Sequence, residues 1–571
     1  MSAPFTFRPK LFDCMAGYSL KSFGSDLSAG ITVGVIALPM AMAFAIGSNV
    51  PPEAGLVTAV VAGFLISFLG GSSVSIGGPT GAFVGIVAGI VATYGLSGLL
   101  ICTMMAGVML FLMGLLRLGG LIRYIPAPLV KGFTTGIAVI ILCGQLKDFL
   151  GIRADLGNTS NLLRTFDSLW PHLTELSLPT LAVSMTSVLA ILFWPKVIRR
   201  YLPGAIGVML LVTGAVTLAR QHWGLDIETI GTRFGDIPRT LPMPQLPGIS
   251  LDAFQDLLIP ALTIALLGAI ESLLCTAAAD GMTDDDHNPD QELMAQGIAN
   301  FLTPLFGGIP ATGAIARTAA NIRSGGKTPV AGIVHALTLF AIMLAAAPLA
   351  KYIPLSVLSA VLVVVALNMG DWREFIYLSR YPRADASVFL ITFFLTIIFG
   401  LTQAVTVGIF AACIFFIKQV SDQSRVGITP VLKNASALPE RENNDAINEA
   451  VARDDILLVT LTGAMFFGAA QKLKRIMHGL KKGHKVLILR MAQVISLDAT
   501  AILTLEDIIT KFEKRGVPVI LVGLMHQPRA SLRKAGILAH LPRANVLPTM
   551  EEAVLRADEI IEEQNEAAAQ V

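Results

Sequence analysis

Long apolar stretches, punctuated by Gly and Pro, fill the first 420 residues of the chain. They fall at 28–48, 54–70, 77–94, 97–116, 126–150, 177–195, 203–219, 256–279, 291–307, 312–324, 329–350, 353–369, 385–401 and 403–420. Each is about as long as a helix needs to cross ~30 Å of hydrocarbon, or slightly shorter. Two are interrupted near their starts, at Ser75-Ile-Gly-Gly-Pro-Thr-Gly-Ala-Phe83 and at Gly307-Gly-Ile-Pro-Ala-Thr-Gly-Ala-Ile315. These are the third span and the tenth, which is the third of a second set of seven. Short, broken segments at corresponding places in two halves point to an inverted-repeat transporter site.

Beyond Gln419 the pattern changes. Residues 422–454 are polar and Asp/Asn/Glu-rich, as in a linker. From Asp455 the chain reads as soluble α/β: strands at ILLVTLTGAMFF, KVLILRM and VPVILVGL, and helices at Ala469–Leu480, Ala499–Phe512, Pro528–Ala535 and Met550–Gln564. The expected division is a cytoplasmic amino-terminal segment 1–25, a transmembrane domain 26–421, the linker, and one small domain over 455–565.

Composition agrees with a polytopic membrane protein. Of 571 residues 54% are hydrophobic and 14% charged, with a mean hydropathy of +0.69; a soluble domain carries roughly 25% charged residues. The net charge of +2 gives no reason to expect a nucleic acid. The amino-terminal 25 residues lack the apolar core of a cleavable signal peptide. Basic residues at Arg8, Lys10 and Lys21, Arg117 and Arg123, Lys196 to Arg200, Arg323 and Lys327, and Arg373 to Arg383 mark one side, against Arg153, Arg164, Arg233 and Arg239 in two longer loops of the other, and this bias orients both termini to the cytoplasm. The five cysteines are scattered, with neither ligand spacing nor a disulfide frame, and no metal site is expected.

Charge inside apolar segments is rare and costly, and marks function by default. Glu271 lies in the eighth span and Arg317 just after the tenth-span break. A helix that starts inside the membrane presents free N–H groups and the positive end of its dipole. Two such starts, at Thr80, Gly81 and Ala82 and at Ala314, Ile315 and Ala316, would form an anion cradle. Glu271 would change protonation during a cycle, pairing with Arg317 or releasing it for the anion; a fixed ion pair holding the two spans together is the plainer alternative.

Several stretches resemble the sulfate permease family, also called solute-carrier family 26: DLSAGITVGVIALPMAMAFAIGS, SIGGPTGAF, ADGMTDDDHNPDQELMAQGIAN and IARTAANIRSGGKTP. The carboxyl-terminal domain is similar to a STAS domain. LLGAIESLLC and ATGAIARTAANIRSG are similar to the bacterial branch that carries C4-dicarboxylates. The resemblance implies seven plus seven inverted spans, a core domain (spans 1–4 and 8–11) moving against a gate domain (5–7 and 12–14), and often a dimer. It implies secondary transport of sulfate, succinate, fumarate, bicarbonate or a related anion across a bacterial inner membrane, not an enzyme. It also places Ala37, Met40 and Phe44 against the ligand, with Pro39 breaking the first span. Protons are expected as the coupling ion ahead of sodium, and no cofactor. SLDATAIL stands where soluble relatives are phosphorylated; here Asp498 is followed by Ala499 and Thr500, so regulation or docking of another protein is expected ahead of modification at Thr500. An anion exchanger not coupled to protons, and a membrane sensor using the STAS domain as output, remain as alternatives.

Overall fold

The computed structural model describes residues 7–569 apart from 121–125, 155–161, 196–197, 199–202, 237, 249–250, 284, 400, 424, 429–454 and most of 467–482. The chain forms two compact units, Met1–Ala412 and Cys413–Val571.

Every apolar segment read from the sequence is a helix. They are α1 (Leu20–Gly47), α2 (Pro52–Leu69), α3 (81–94), α4 (96–115), α5 (Ala127–Gly144), α6 (Leu178–Leu192) and α7 (Gly204–Trp223). Then come α8 (Leu258–Thr283), α9 (Pro289–Leu302), α10 (Ile315–Arg323), α11 (Pro329–Ala350), α12 (Leu355–Met369), α13 (Arg383–Phe399) and α14 (Leu401–Gln423). The chain turns between α3 and α4 at Gly95, whose φ of 69° suits a residue without Cβ. Among the described residues seven helices meet the length and apolarity of a full crossing, and an eighth if 165–192 counts as one bent span. α10, with nine residues, is far too short to cross.

The packing carries the inverted repeat. α1 lies on α11 and, equivalently, α8 on α4; α2 lies on α11 as α9 does on α4; α5 lies on α13 as α12 does on α6. Helices 1–4 and 8–11 thus form one bundle, and α5–α7 with α12 and α13 another. Glycines permit the closest crossings. An added Cβ would stand 2.5 Å from the Ala331 carbonyl at Gly30, 2.0 Å from the Ala41 carbonyl at Gly55, and 2.5 Å from backbone nitrogen at both Gly107 and Gly297.

One expectation fails here. α1 runs through Pro39 without a break. A proline removes one backbone donor, but in a membrane helix the neighbours absorb the loss without ending the helix.

The carboxyl-terminal unit is a five-stranded sheet in the order β3 (Arg425–Ile428), β4 (Ile456–Met465), β5 (Val486–Leu497), β6 (Val519–Val522), β7 (Val546–Leu547), numbered after the two short strands described below. The first pair is antiparallel and the others parallel. Alternation along β4 sends Leu457, Val459 and Leu461 to one face, with Leu505 and Ile508 of α15 (Ala499–Glu513). Ile456 and Leu458 go to the other, with Ala553, Val554 and Ala557 of α17 (Met550–Ala569); α16 (His526–Lys534) precedes α17. The expected linker gives way at β3, whose four residues pair with 459–462; the rest of it from 429 lies outside the described residues, as does most of the helix expected over Ala469–Leu480.

Candidate anion site

The two sequence breaks meet. β1 (Gly77–Gly78) and β2 (Thr312–Gly313) pair antiparallel, Gly77 with Gly313 and Gly78 with Thr312. α3 leaves one end of this ladder and α10 the other, so two helix starts face the same point from opposite directions. Gly78 has φ 146°, open only to glycine in practice, and an added Cβ would stand 2.6 Å from Arg317 Nη1.

The second strand is held by side chains from three helices. Asn300 of α9 exchanges two hydrogen bonds with Ala311, donating to its carbonyl (2.9 Å) and accepting from its N–H (2.8 Å). Thr58 of α2 accepts from the Ile309 N–H (2.7 Å). Ser272 of α8 accepts from the Gly313 N–H (3.2 Å) and shares a hydrogen bond with the Thr312 hydroxyl (2.7 Å), which donates to the Gly268 carbonyl (3.0 Å). The first strand hangs on α10 instead. Thr318 accepts from the Ile76 N–H (2.9 Å), Asn321 donates to the Val74 carbonyl (2.9 Å), and Arg317 Nη2 donates to the Pro79 carbonyl. None of Thr58, Ser272, Asn300, Thr318 and Asn321 figured as a site residue in the sequence reading. Their polar side chains inside apolar segments were the available signal.

At the centre the protein leaves polar groups open. The N–H groups of Ile315 and Ala316, and those of Gly81 and Ala82, have no protein partner among the described residues. Thr80 Oγ1 and Arg317 Nη1 are buried without a hydrogen-bond partner. A buried donor left unpaired costs about 1–3 kcal/mol, so groups like these are met by water or a ligand. Ala314 departs from the expected cradle: its N–H is taken by the Ile76 carbonyl at 2.9 Å, because it extends the ladder by one residue.

Around the opening, Ala37, Phe44, Ala82 and Ala314 are buried, whereas Ile315 is 44% exposed. A Cβ at Gly81 would lie 3.3–3.4 Å from Phe44 of α1, Ile141 of α5 and Met369 of α12, so the gate bundle closes this side with apolar groups. Met40 turns to the gate bundle, packing with Val188, Val208 and Val361.

Glu271 is half-buried and shares an i, i+3, i+4, i+7 stripe with Gly268, Ser272 and Cys275, the stripe of α8 that carries β2. It forms no ion pair with Arg317, so the fixed pair expected as the plainer alternative is not present in this state. Arg317 is turned back across the glycine ladder to Pro79, into space that Gly78 leaves open. Among the described residues no cluster of three His, Cys, Asp or Glu could hold a metal, and the five cysteines are free. In the carboxyl-terminal unit Asp498 caps α15, accepting from the Ala501 N–H at 2.7 Å, and Thr500 is exposed.

Two broken helices crossing in a membrane bundle, with a soluble α/β domain after them, define an anion carrier of the inverted-repeat class. The chain belongs to the sulfate permease family, which matches residues 23–392, and a STAS domain matches 448–553. It is 39% identical over 91% of its length, and 95% of the relative's, to a Bacillus subtilis (strain 168) protein named "Putative sulfate transporter YvdB". It is 31% identical to the bicarbonate transporter BicA of Picosynechococcus, covering 94% of this chain and 95% of BicA. The solved transmembrane domain of a cyanobacterial BicA superposes with a TM-score of 0.61, covering 69% of this chain and 98% of that one. Murine Slc26a9 in an inward-facing state shares the fold over 98% of this chain and 96% of its own, with a TM-score of 0.85 at 21% identity. The protein is therefore a multi-pass anion transporter, of a family of transporters and not of enzymes.

Proposed function

We propose that the protein is a secondary active transporter that takes up a small dianion, sulfate or a C4-dicarboxylate such as succinate or fumarate, together with protons. The core bundle carries the anion past the gate bundle in an elevator-like cycle. The observation that carries this reading is the crossover: four open N–H groups, the free Thr80 hydroxyl and the half-satisfied Arg317 guanidinium converge where two helix dipoles add. Gly81, Ala82, Ile315 and Ala316 bind through backbone; Ala314 shapes the strand. Ala37 and Phe44 supply an apolar wall, as do Ile141 and Met369 from the gate, which suits a carbon skeleton between two carboxylates. Glu271, beside the crossover without a cation, is the proton-carrying group, and sodium has no comparable ligand set here. A bicarbonate carrier or an exchanger independent of protons is the second reading, favoured by the likeness to BicA.

On the same footing the protein sits in a bacterial inner membrane with both termini cytoplasmic, works as a homodimer, and uses the STAS domain to dock a cytoplasmic protein. Purified protein in liposomes decides between the readings. Labelled sulfate, succinate, fumarate and bicarbonate are compared with and without an inward proton gradient. Accumulation of a dianion that follows the gradient supports the first; bicarbonate flux indifferent to it supports the second. Anion binding without flux would mean a sensor.

A further inference from the structure

Behind the crossover lies a group that the transport reading does not yet use. His335, on α11, is 0% exposed, and both of its ring nitrogens lack a hydrogen-bond partner. A neutral imidazole carries one donor and one acceptor, and leaving both empty in a protein interior is costly. Its surroundings explain why no side chain serves it. It packs where α1 and α2 present Gly34 and Gly63. A Cβ at Gly63 would lie 3.5 Å from His335 Cε1 and 3.3 Å from the Gly77 carbonyl, so the ring stands directly behind β1. Arg317 Nη1, also unpartnered, lies over the next residue, Gly78. Ser67 Oγ, a third buried group without a partner, faces Gly332 one turn before His335. Glycines at 34, 63, 77 and 78 therefore lie around an imidazole without a partner and a guanidinium with one nitrogen left open, and the unpaired Ser67 hydroxyl stands a turn away at Gly332.

We propose that His335 is a second proton-binding site of the transport cycle, linked to anion occupancy through Arg317. The inference rests on the proton-coupled reading above. Two adjacent cations without a counter-ion repel strongly in a low-dielectric interior, so an imidazolium beside Arg317 is tolerated when an anion fills the crossover. Proton and anion then favour each other's binding by the same factor, which is what symport requires. The step is a proton transfer alone: an O–H bond of hydronium breaks and an N–H bond forms at an imidazole lone pair. It reverses when the anion leaves on the other side. The other charged groups around α11 do not compete for this role. Asp26 of α1 is held at the helix start by Lys327, Thr328 and Tyr18, seven residues or about 10 Å away along the axis. α2 presents Gly63 to the ring and Ser67 to Gly332 one turn away, and the charged group that α10 brings to this region is Arg317 over Gly78.

The test counts protons. Saturating sulfate or succinate is added to the purified full-length protein in weakly buffered detergent solution with a pH indicator, and anion binding is measured in parallel. The wild type is expected to take up protons, His335→Gln to take up about one fewer per bound anion, and Glu271→Gln to keep the His335 share. His335→Gln with unchanged proton count and intact anion binding overturns the proposal while leaving proton coupling in place. Loss of all proton uptake in Glu271→Gln overturns it as well, and needs no histidine variant to fold. A wild type that binds anion without any proton removes the coupling reading itself, and this inference with it.

Discussion

The two helix starts share a backbone design and differ in everything attached to it. The stretch before α3, from Ser75 to Phe83, is wholly buried, uncharged, and supported by side chains of α10. The stretch before α10 is supported from α2, α8 and α9, and the first turn of α10 exposes Ile315 and Ala316 and brings a charge, Arg317, that the other start lacks. Hydrogen-bonded support thus falls mainly in one order: three scaffold helices hold the second start, and the second start supplies most of the ties to the first. Pseudo-symmetry fixes where the dipoles point, while side chains decide which half is the anchor and which the dependent.

The largest effect is expected where dependency and charge coincide. Arg317→Met should lower uptake into liposomes by about 100-fold or more, since it removes both the cation and the tie to Pro79. Arg317→Lys should recover only part, because a single ammonium cannot hold Pro79 and keep a second donor free. Next comes backbone strain. Gly78→Ala should cost about 1–3 kcal/mol through its φ of 146° and lose uptake, read by thermal unfolding and flux. Gly313→Ala, whose Cβ would meet Cys275 Cβ at 3.1 Å without a positive φ, should be milder. Equal effects would break the comparison.

Third, the direction of support can be tested. Asn300→Ala should destabilise by about 1–3 kcal/mol and disable both starts, because it strips two buried hydrogen bonds from the anchor. Thr318→Val should weaken uptake while leaving a smaller thermal shift, because it frees one backbone group, the Ile76 N–H of the dependent strand, and otherwise loses only a weak contact with the Cys275 thiol.

The smallest effect lies outside the membrane, where Lys10 meets Asp285 at 3.0 Å. Burial works against the Asp285 charge, yet the Ser73 hydroxyl and the Lys10 ammonium hold its carboxyl below the usual range. A lowered value stabilises the fold above the unfolded carboxylate value of about 4, and that contribution fades as pH falls through the lowered one. Asp285→Asn should therefore cost about 0.5 kcal/mol at pH 7 and progressively less as the pH falls through the lowered carboxyl value, by thermal unfolding along a pH series.

Much of this arrangement was legible in the chain. Apolar periodicity gave the helices, and the Gly/Pro clusters at 77–81 and 307–313 marked the crossing, because only a broken helix needs them at that depth. The alternation of ILLVTLTG separated the soluble sheet from the spans. What the sequence left hidden depends on direction in space. Arg317 and Glu271 sit 46 residues apart with nothing to say that one guanidinium folds back over Gly78 while the carboxyl stays apart. Pro39 looked like a break because its effect depends on neighbours, and RVGI looked like linker because four residues without a partner strand carry little signal. His335 passes for an ordinary core residue until its missing partners are seen.

The central claim is that the anion sits between the two helix starts, and Ile315, exposed at the mouth, reports on it most directly. With the five native cysteines replaced, Ile315→Cys should react with a small charged thiol reagent in membranes. Saturating transported anion should slow that reaction about tenfold, as expected when a ligand occupies the contact site. A rate indifferent to the anion, in protein that still transports it, would contradict the account.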